Sequence, residues 1–203
     1  GHPGPMSDGS TGHVLLLHGI WMVGSTLRPL AAQLRRAGWS VEVFGYASVT
    51  GGPGRAVPAL RERLVERGRQ HAVVHVVGHS LGGLVAVAAA CTETALPPGR
   101  IVCIGSPLAG SSVARRLDRL PLGTLATGRS HALLCEGLAA ARPLREVGII
   151  AGTRALGIGR LLARFDGPGD GTVAVSETRV PWLTDHCVHP ATHTGLLVSR
   201  EVA

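Results

Sequence analysis

The sequence contains no lysine and no asparagine, and it has few aromatic residues. Only 3% of the 203 residues are aromatic, so a folded core must be built mainly from Leu, Val, Ile and Ala. No apolar run approaches the roughly 20 residues that a membrane-spanning helix needs. Hydrophobic residues make up 45% of the chain and charged residues 16%, which excludes a disordered chain. The length predicts a single domain.

The absence of lysine leaves arginine as the source of all the positive charge. The 20 basic residues exceed the 13 acidic ones, which gives a net charge of +7. A positive surface can attract nucleic acid, anionic lipid or an acidic protein. The arginines are dispersed along the chain, however, and they lack the interleaved aromatic side chains that stack on bases. We therefore expect a solvated arginine-rich surface and no nucleic-acid partner.

The four cysteines show neither a CxxC pair nor metal-ligand clustering with the ten histidines. The sequence therefore predicts no metal site. Residues 1–12 are polar and rich in Gly and Pro, and we interpret them as a tag remnant and a disordered N-terminus without the pattern of a signal peptide. The expected location is a reducing cytoplasm, although an export signal removed by processing would leave no trace.

Strand and helix patterns alternate along the rest of the chain. Short apolar or β-branched runs predict strands at residues 13–17, 41–46, 73–77, 101–104, 147–151 and 172–175. Helical patterns occupy residues 27–34, 57–64, 81–91 and, at the end, 195–202. This alternation predicts an α/β fold with a parallel sheet that is covered on both faces. In such sheets the reactive groups gather at the carboxyl ends of the strands.

The motif most specific for chemistry is a G-x-S-x-G sequence formed by Gly78, Ser80 and Gly82. It directly follows a predicted strand and precedes a predicted helix, which is the context of a nucleophile elbow. The alternative is a glycine-rich turn with a helix-capping serine. A dinucleotide-binding loop is excluded because Ser80 stands where that motif requires a second glycine.

An acyl-transfer serine needs two backbone N–H groups to hold the oxyanion of the tetrahedral intermediate. One is the N–H of Leu81, the residue after the serine. A His18-Gly19 turn after the first strand can supply the second from Ile20. We expect His18 to hold this loop rather than to act as a base.

The serine also needs a histidine base and a carboxylate, which follow it in the chain in this class of site. Asp170 is the preferred acid because it lies in a glycine-flanked turn before a predicted strand; Asp166 is its rival and Asp185 a third choice. An ordinary turn aspartate is the alternative interpretation. His193 is the preferred base over His186 and His189.

Together these features resemble the bacterial α/β-hydrolase esterases and lipases. The resemblance rests on residues 14–19, 78–83, 105–111, 170–173 and 193–195. It implies an α/β-hydrolase fold over residues 13–203, with a mostly parallel central sheet, helices on both faces and 110–145 as a small cap. It also implies a Ser80–His193–Asp170 triad that hydrolyses carboxylic esters through an acyl-enzyme, without a metal or an organic cofactor.

Two other functions stay open at this point. One is an esterase that acts on acyl groups or methyl esters linked to an acidic carrier protein, docked by arginines that overhang the site: Arg115, Arg116, Arg119, Arg142 and Arg145. The other is a non-catalytic binding module that keeps the hydrolase fold.

The 110–145 segment also suggests the physical state of the substrate. It carries six arginines and no aromatic residue, and its leucines are expected to pack on the core. Such a segment has little bulky surface to insert into a lipid interface. The sequence therefore predicts short- to medium-chain soluble esters as substrates.

Overall fold

The computed structural model describes residues 12–92, 95–156 and 167–203. Its centre is a six-stranded sheet of order β2-β1-β3-β4-β5-β6, and every neighbouring pair is parallel. The strands are β1 (His13–Leu17), β2 (Ser40–Phe44), β3 (Val74–His79), β4 (Ile101–Ile104), β5 (Val147–Gly152) and β6 (Asp185–His189). The predicted α/β class and parallel sheet are confirmed.

The described residues contain the α-helices α1 (Arg28–Arg36), α2 (Gly52–Gly68), α3 (Leu81–Ala90), α4 (Ser112–Leu117), α5 (Gly123–Thr127) and α6 (His131–Glu136). Helices α2 and α3 pack over one face of the sheet in a large aliphatic core. Helix α1 covers the other face in a smaller core that also contains Leu196 and Leu197. Strand β1 contributes alternate side chains to both cores, which explains why all five of its residues are apolar or buried.

Two sequence-based predictions of secondary structure are wrong. Residues 172–175 form no strand; a 3₁₀ helix, Val175–Thr178, follows an isolated antiparallel bridge between Gly169 and Ala174. The last strand of the sheet is the polar β6. The C-terminal segment 195–202 contains a 3₁₀ turn, Gly195–Leu197, in place of the predicted helix.

The 110–145 segment lies between β4 and β5 and consists of the short helices α4, α5 and α6. It contacts the loops that follow β1 and β2. The Ser130 hydroxyl donates to the carbonyl of Ser48 at 2.5 Å, and the Arg129 N–H donates to that of Val49 at 3.0 Å. The indole N–H of Trp21 donates to the carbonyl of Ala126 at 2.5 Å. The segment therefore borders the carboxyl edge of the sheet.

Within the described ranges, none of the helices is both long enough and apolar enough to cross a membrane. All four cysteines are free. Burial raises the pKa of the Cys103 thiol to about 12, so this core cysteine is not a nucleophile at neutral pH.

Candidate active site

Ser80 occupies the sharp turn between β3 and α3. Its backbone has φ +53° and ψ −119°, a conformation that side-chain-bearing residues adopt only under constraint, typically at a cost of about 1–3 kcal/mol. The turn is held at both ends: the Ser80 N–H donates to the carbonyl of Ile104 at 2.8 Å, and its own carbonyl accepts from Gly83 at 3.1 Å. The strand–turn–helix context that the motif requires is present.

The glycines of the motif allow α3 to approach the sheet closely. A Cβ atom on Gly82 would lie 2.6 Å from the carbonyl oxygen of Leu17, the last residue of β1. A Cβ atom on Gly78 would collide with the backbone of Gly82 and Gly83. Only glycine therefore lets α3 begin directly above the ends of β1 and β3, with its N-terminus beside Ser80.

The loop after β1 runs past the serine. A Cβ atom on Gly19 would lie 3.1 Å from the Cβ of Ser80, so the two backbones are neighbours. No acceptor within the described ranges bonds the N–H of Ile20, the next residue. Leu81 is the first residue of α3, and the first N–H groups of a helix have no partner inside the helix. Both candidate oxyanion donors thus belong to segments that adjoin Ser80.

His18 is fixed within this loop by Tyr46. The two rings are stacked, with centroids 4.5 Å apart, and the Tyr46 hydroxyl donates to the His18 carbonyl at 2.7 Å. The His18 Nδ1 lies 2.8 Å from the carbonyl oxygen of Gly19. Burial raises the pKa of Tyr46, so its hydroxyl stays protonated and keeps donating. These contacts are those of a residue that holds a loop.

Asp170 and His193 form a hydrogen-bonded pair. The His193 Nδ1 lies 2.7 Å from the Asp170 Oδ2. The other carboxylate oxygen accepts from the N–H groups of Thr172 and Val173, at 2.9 and 2.8 Å. A further bond, from the His193 N–H to the Asp170 carbonyl at 3.1 Å, joins the two loops. The carboxylate is 1% exposed and fully bonded, so its orientation toward the imidazole is fixed.

Gly105 connects this pair to the end of β4. A Cβ atom on Gly105, whose φ is +56°, would lie 3.1 Å from both the Asp170 Oδ2 and the His193 Nδ1. Ile104, the preceding residue, accepts the hydrogen bond of the Ser80 N–H. Asp170 and His193 therefore lie against the residue that follows β4, next to the residue that bonds the Ser80 backbone.

The other candidates do not join this group. Asp185 is the first residue of β6 and so lies at the opposite, amino end of the sheet. The His186 Nε2 pairs with the hydroxyl of Thr178 at 2.9 Å, and His189 contacts the hydroxyl of Ser199 at the same distance. Asp166 lies outside the described residues.

His79 also belongs to the site, although the sequence did not single it out as a candidate. Its Nε2 lies 2.9 Å from the carbonyl oxygen of His193, and the two ring centroids are 4.6 Å apart. Burial, and next the neighbouring His193, lower the pKa of His79 to about 3. His79 is therefore neutral, and its Nε2–H donates to the backbone of the candidate base. Its position immediately before Ser80 is the one available signal in the sequence.

Glu177 is a second residue that the sequence analysis missed. Its buried carboxylate accepts from the N–H of Ser112 at 2.6 Å and from that of Ala174 at 2.9 Å. Ser112 begins α4, where a negative charge is favourable, and Ala174 belongs to the loop that carries Asp170. Glu177 thus ties the 110–145 segment to the acid loop.

The arginines of the 110–145 segment do not all face the site. Arg145 donates to the carbonyls of Val74 and Pro97, and Val74 is the first residue of β3. The expectation that Arg145 overhangs the site is therefore wrong. Arg116, Arg119 and Arg129 are exposed, and none has a carboxylate partner in the part of the chain that the structure describes.

The chain matches the profile of the alpha/beta hydrolase family over residues 14–201. This match spans nearly the whole sequence, and the chain belongs to that family. No curated protein matches it.

Similar solved structures include the mature form of the Bacillus licheniformis lipase BlEst2, with a TM-score of 0.78, 18% identity and coverage of 97% of this chain and 91% of the lipase. The metagenomic carboxyl esterase MGS0156 has a TM-score of 0.69 at 18% identity, over 95% of this chain and 70% of the esterase. A lipase-esterase related protein from Clostridium acetobutylicum has a TM-score of 0.65 at 12% identity, over 95% and 91% of the two chains. At these identities the similarity shows the fold. Together, the family and these neighbours support a hydrolase.

Proposed function

We propose that the protein is a serine esterase that hydrolyses short- to medium-chain carboxylic esters. The observation that carries this proposal is the 2.7 Å bond between the His193 Nδ1 and a buried, fully bonded Asp170, beside a serine in a constrained turn. Because Nδ1 is bonded to Asp170, Nε2 is the nitrogen of His193 that would take the Ser80 proton. A non-catalytic module has no need of the constrained serine backbone.

In the proposed mechanism His193 accepts the hydroxyl proton of Ser80 through Nε2 as the serine oxygen attacks the ester carbonyl. Asp170 holds the imidazole in the tautomer with Nδ1 protonated and stabilises the imidazolium. The proton then passes to the leaving alcohol, and an acyl-enzyme remains. Water, deprotonated by the same histidine, attacks the acyl-enzyme and regenerates Ser80.

The developing oxyanion would accept hydrogen bonds from the N–H groups of Ile20 and Leu81. These donors belong to the loop after β1 and to the start of α3, on both sides of Ser80. Fixed backbone donors need little reorganisation during the reaction, and each is typically worth about 3 kcal/mol of transition-state stabilisation.

The direct test is covalent labelling with a fluorophosphonate probe, followed by assays on p-nitrophenyl esters of graded chain length. The wild type should be labelled once per chain, at Ser80. Ser80→Ala should lose the label and at least about a thousandfold of the esterase rate. Ser176→Ala is the matched control because Ser176 is exposed and lies outside the site. A wild type that resists the probe and lacks esterase activity would show a non-catalytic module.

A carrier-protein substrate is the second candidate. The exposed Arg116, Arg119 and Arg129 in the segment that borders the site support it, because an acidic carrier protein would complement their charge. If so, hydrolysis of the carrier-linked ester should fall steeply with added salt, whereas hydrolysis of the matching free ester should not.

A further inference from the structure

A cluster of three potential metal ligands lies in the 110–145 segment, apart from the serine and its partners. Asp118 directly follows α4, and His131 and Cys135 lie one turn apart on α6. One carboxylate oxygen, the imidazole Nε2 and the Sγ atom all lie within 4.8 Å of one another. Within the described ranges, this is the one group of three His, Cys, Asp or Glu side chains with such spacing.

The individual contacts converge on the His131 Nε2. The Asp118 Oδ1 lies 2.6 Å from this nitrogen, and the Cys135 Sγ lies 3.3 Å from it. The ligands of a tetrahedral zinc ion are about 3 to 4 Å apart, given bonds of roughly 2.0–2.3 Å. The Asp118 side chain is 48% exposed, so it can rotate outward by the small distance required.

The second ring nitrogen of His131 also has a hydrogen-bond partner. Its Nδ1 lies 2.6 Å from the hydroxyl of Thr127, and that hydroxyl in turn lies 3.2 Å from the carbonyl of Thr124. The Thr127 hydroxyl can donate to Nδ1 while Nε2–H donates to Asp118. It can equally accept from Nδ1–H and donate to Thr124, which would support the tautomer whose Nε2 lone pair binds a metal ion. A histidine held in this way through its second nitrogen is typical of metal ligands.

We propose that Asp118, His131 and Cys135 bind one zinc ion, with water in the fourth position. Nitrogen, sulfur and one carboxylate oxygen are the ligand types that zinc prefers. On binding, the Cys135 thiol releases its proton to solvent as the Zn–S bond forms. The proton that Nε2 donates to Asp118 is exchanged for one on Nδ1, which then donates to Thr127, and the freed Nε2 lone pair and the Asp118 oxygen bind the ion instead of each other. The ion joins the end of α4 to α6 and stabilises the 110–145 segment.

This proposal departs from the sequence-based prediction of no metal site. The cysteines form no short-spaced pair, whereas these ligands combine an i, i+4 pair on α6 with a carboxylate 13 residues earlier. Only the packing of α4 against α6 brings them together. The proposal is independent of the proposed esterase activity.

The test uses Co²⁺ as a spectroscopic substitute for Zn²⁺ on the purified, full-length chain. We expect one Co²⁺ per chain, with a sulfur-to-cobalt charge-transfer band and the strong visible absorption of four-coordinate cobalt, both removed by added Zn²⁺. Cys135→Ser should lose the charge-transfer band, and Cys135→Ser and His131→Gln should each weaken zinc binding at least tenfold. Thr127→Val should weaken it by about 10- to 100-fold.

Cys187→Ser is the matched control, because Cys187 is an exposed free cysteine on β6. It should leave the spectrum and the affinity unchanged. Zn²⁺ should raise the melting temperature of the wild type but not that of Cys135→Ser, and metal-free melting of both verifies that the variant folds. The proposal is overturned if the wild type takes up no stoichiometric metal, or if the band survives in Cys135→Ser or disappears in Cys187→Ser.

Discussion

The side chain of His79 holds the backbone of His193. Its Nε2 donates to the His193 carbonyl at 2.9 Å across 114 residues of sequence, and the two rings are in contact at a centroid distance of 4.6 Å. Because His79 directly precedes Ser80, one backbone segment carries the candidate nucleophile and also positions the candidate base. The position of His193 relative to Ser80 therefore depends little on most of the chain between them.

Removal of the His79 donor should therefore lower kcat more than it raises KM. We expect His79→Leu to lose roughly tenfold or more in kcat, since a small displacement of a catalytic group has this scale of effect. His79→Gln, which retains an N–H donor, should recover most of the rate. Steady-state kinetics of both variants, with thermal melting as the folding control, test this. Equal losses in the two would contradict the role of the donor.

The low pKa of His79 also predicts an acid-sensitive fold. The folded-state pKa of about 3 lies below the ordinary value of 6.5, so the unfolded chain binds the proton first as the pH falls. The stability associated with neutral His79 is present above about pH 6.5 and is lost progressively toward pH 3. Melting temperatures between pH 5 and 8 should fall on the acid side, and less steeply in His79→Gln. Identical pH dependence in the two proteins would show that other groups dominate.

The backbone constraint at Ser80 should be measurable as stability. Glycine adopts φ +53° without steric cost, whereas alanine keeps the Cβ atom and therefore the cost. We therefore expect Ser80→Gly to unfold at higher denaturant concentration than Ser80→Ala, by about 1 kcal/mol. Both should lack esterase activity. If Ser80→Gly is the less stable of the two, the turn is not strained.

Asp170 is expected to be the acid, with Asp166 as the comparison. Asp170→Asn should reduce the esterase rate by about 10³- to 10⁴-fold, because an amide that accepts the Thr172 and Val173 N–H groups turns its own NH₂ toward His193 and favours the wrong tautomer. Asp166→Asn should leave the rate near that of the wild type. Each variant only replaces one carboxylate oxygen with an NH₂ group, so their rates on one p-nitrophenyl ester are directly comparable. A large loss confined to Asp166→Asn would reverse the assignment.

Five of the six strands could be predicted because β1 to β5 are short runs of apolar and β-branched residues. Strand β6 was missed because it lies at an edge of the sheet and its sequence, Asp-His-Cys-Val-His, is mostly polar. At residues 172–175 the error was the opposite one, because a strand was predicted where none forms. Val173, Ala174 and Val175 are buried, but the Asp170 carboxylate takes the N–H groups of Thr172 and Val173. Burial alone thus gave these residues the pattern of a strand.

The candidate site was predictable where it depends on local rules. The elbow follows from glycine spacing, and the choice of Asp170 and His193 from their order and their loops. Glu177 and His79 were missed because their partners are distant in sequence: Ser112 is 65 residues from Glu177, and His193 is 114 residues from His79. The position of His79 beside Ser80 points to the site, but a single sequence does not show which distant residue a side chain will contact.

Exposed leucines and Trp21 make the surface of the 110–145 segment more apolar than the sequence predicts. The prediction that its leucines pack on the core is wrong for Leu120, Leu122 and Leu125, which are 46%, 75% and 66% exposed. Trp21, itself 62% exposed, is bonded to Ala126 beside them. The sequence placed no aromatic residue in this segment, and only the fold brings one to it.

The substrate should nevertheless be a soluble ester. The apolar patch of Trp21, Leu122 and Leu125 is small, α5 has only five residues, and exposed arginines flank it, so the area available for insertion into a lipid interface is limited. We expect initial rates on a short-chain triglyceride to rise smoothly through its solubility limit. Trp21→Ala should raise KM severalfold for medium-chain p-nitrophenyl esters and little for the acetate, because it removes apolar contact area at the site border. A sharp activation above the solubility limit that disappears in Trp21→Ala would instead identify the patch as an interfacial lid and the protein as a lipase.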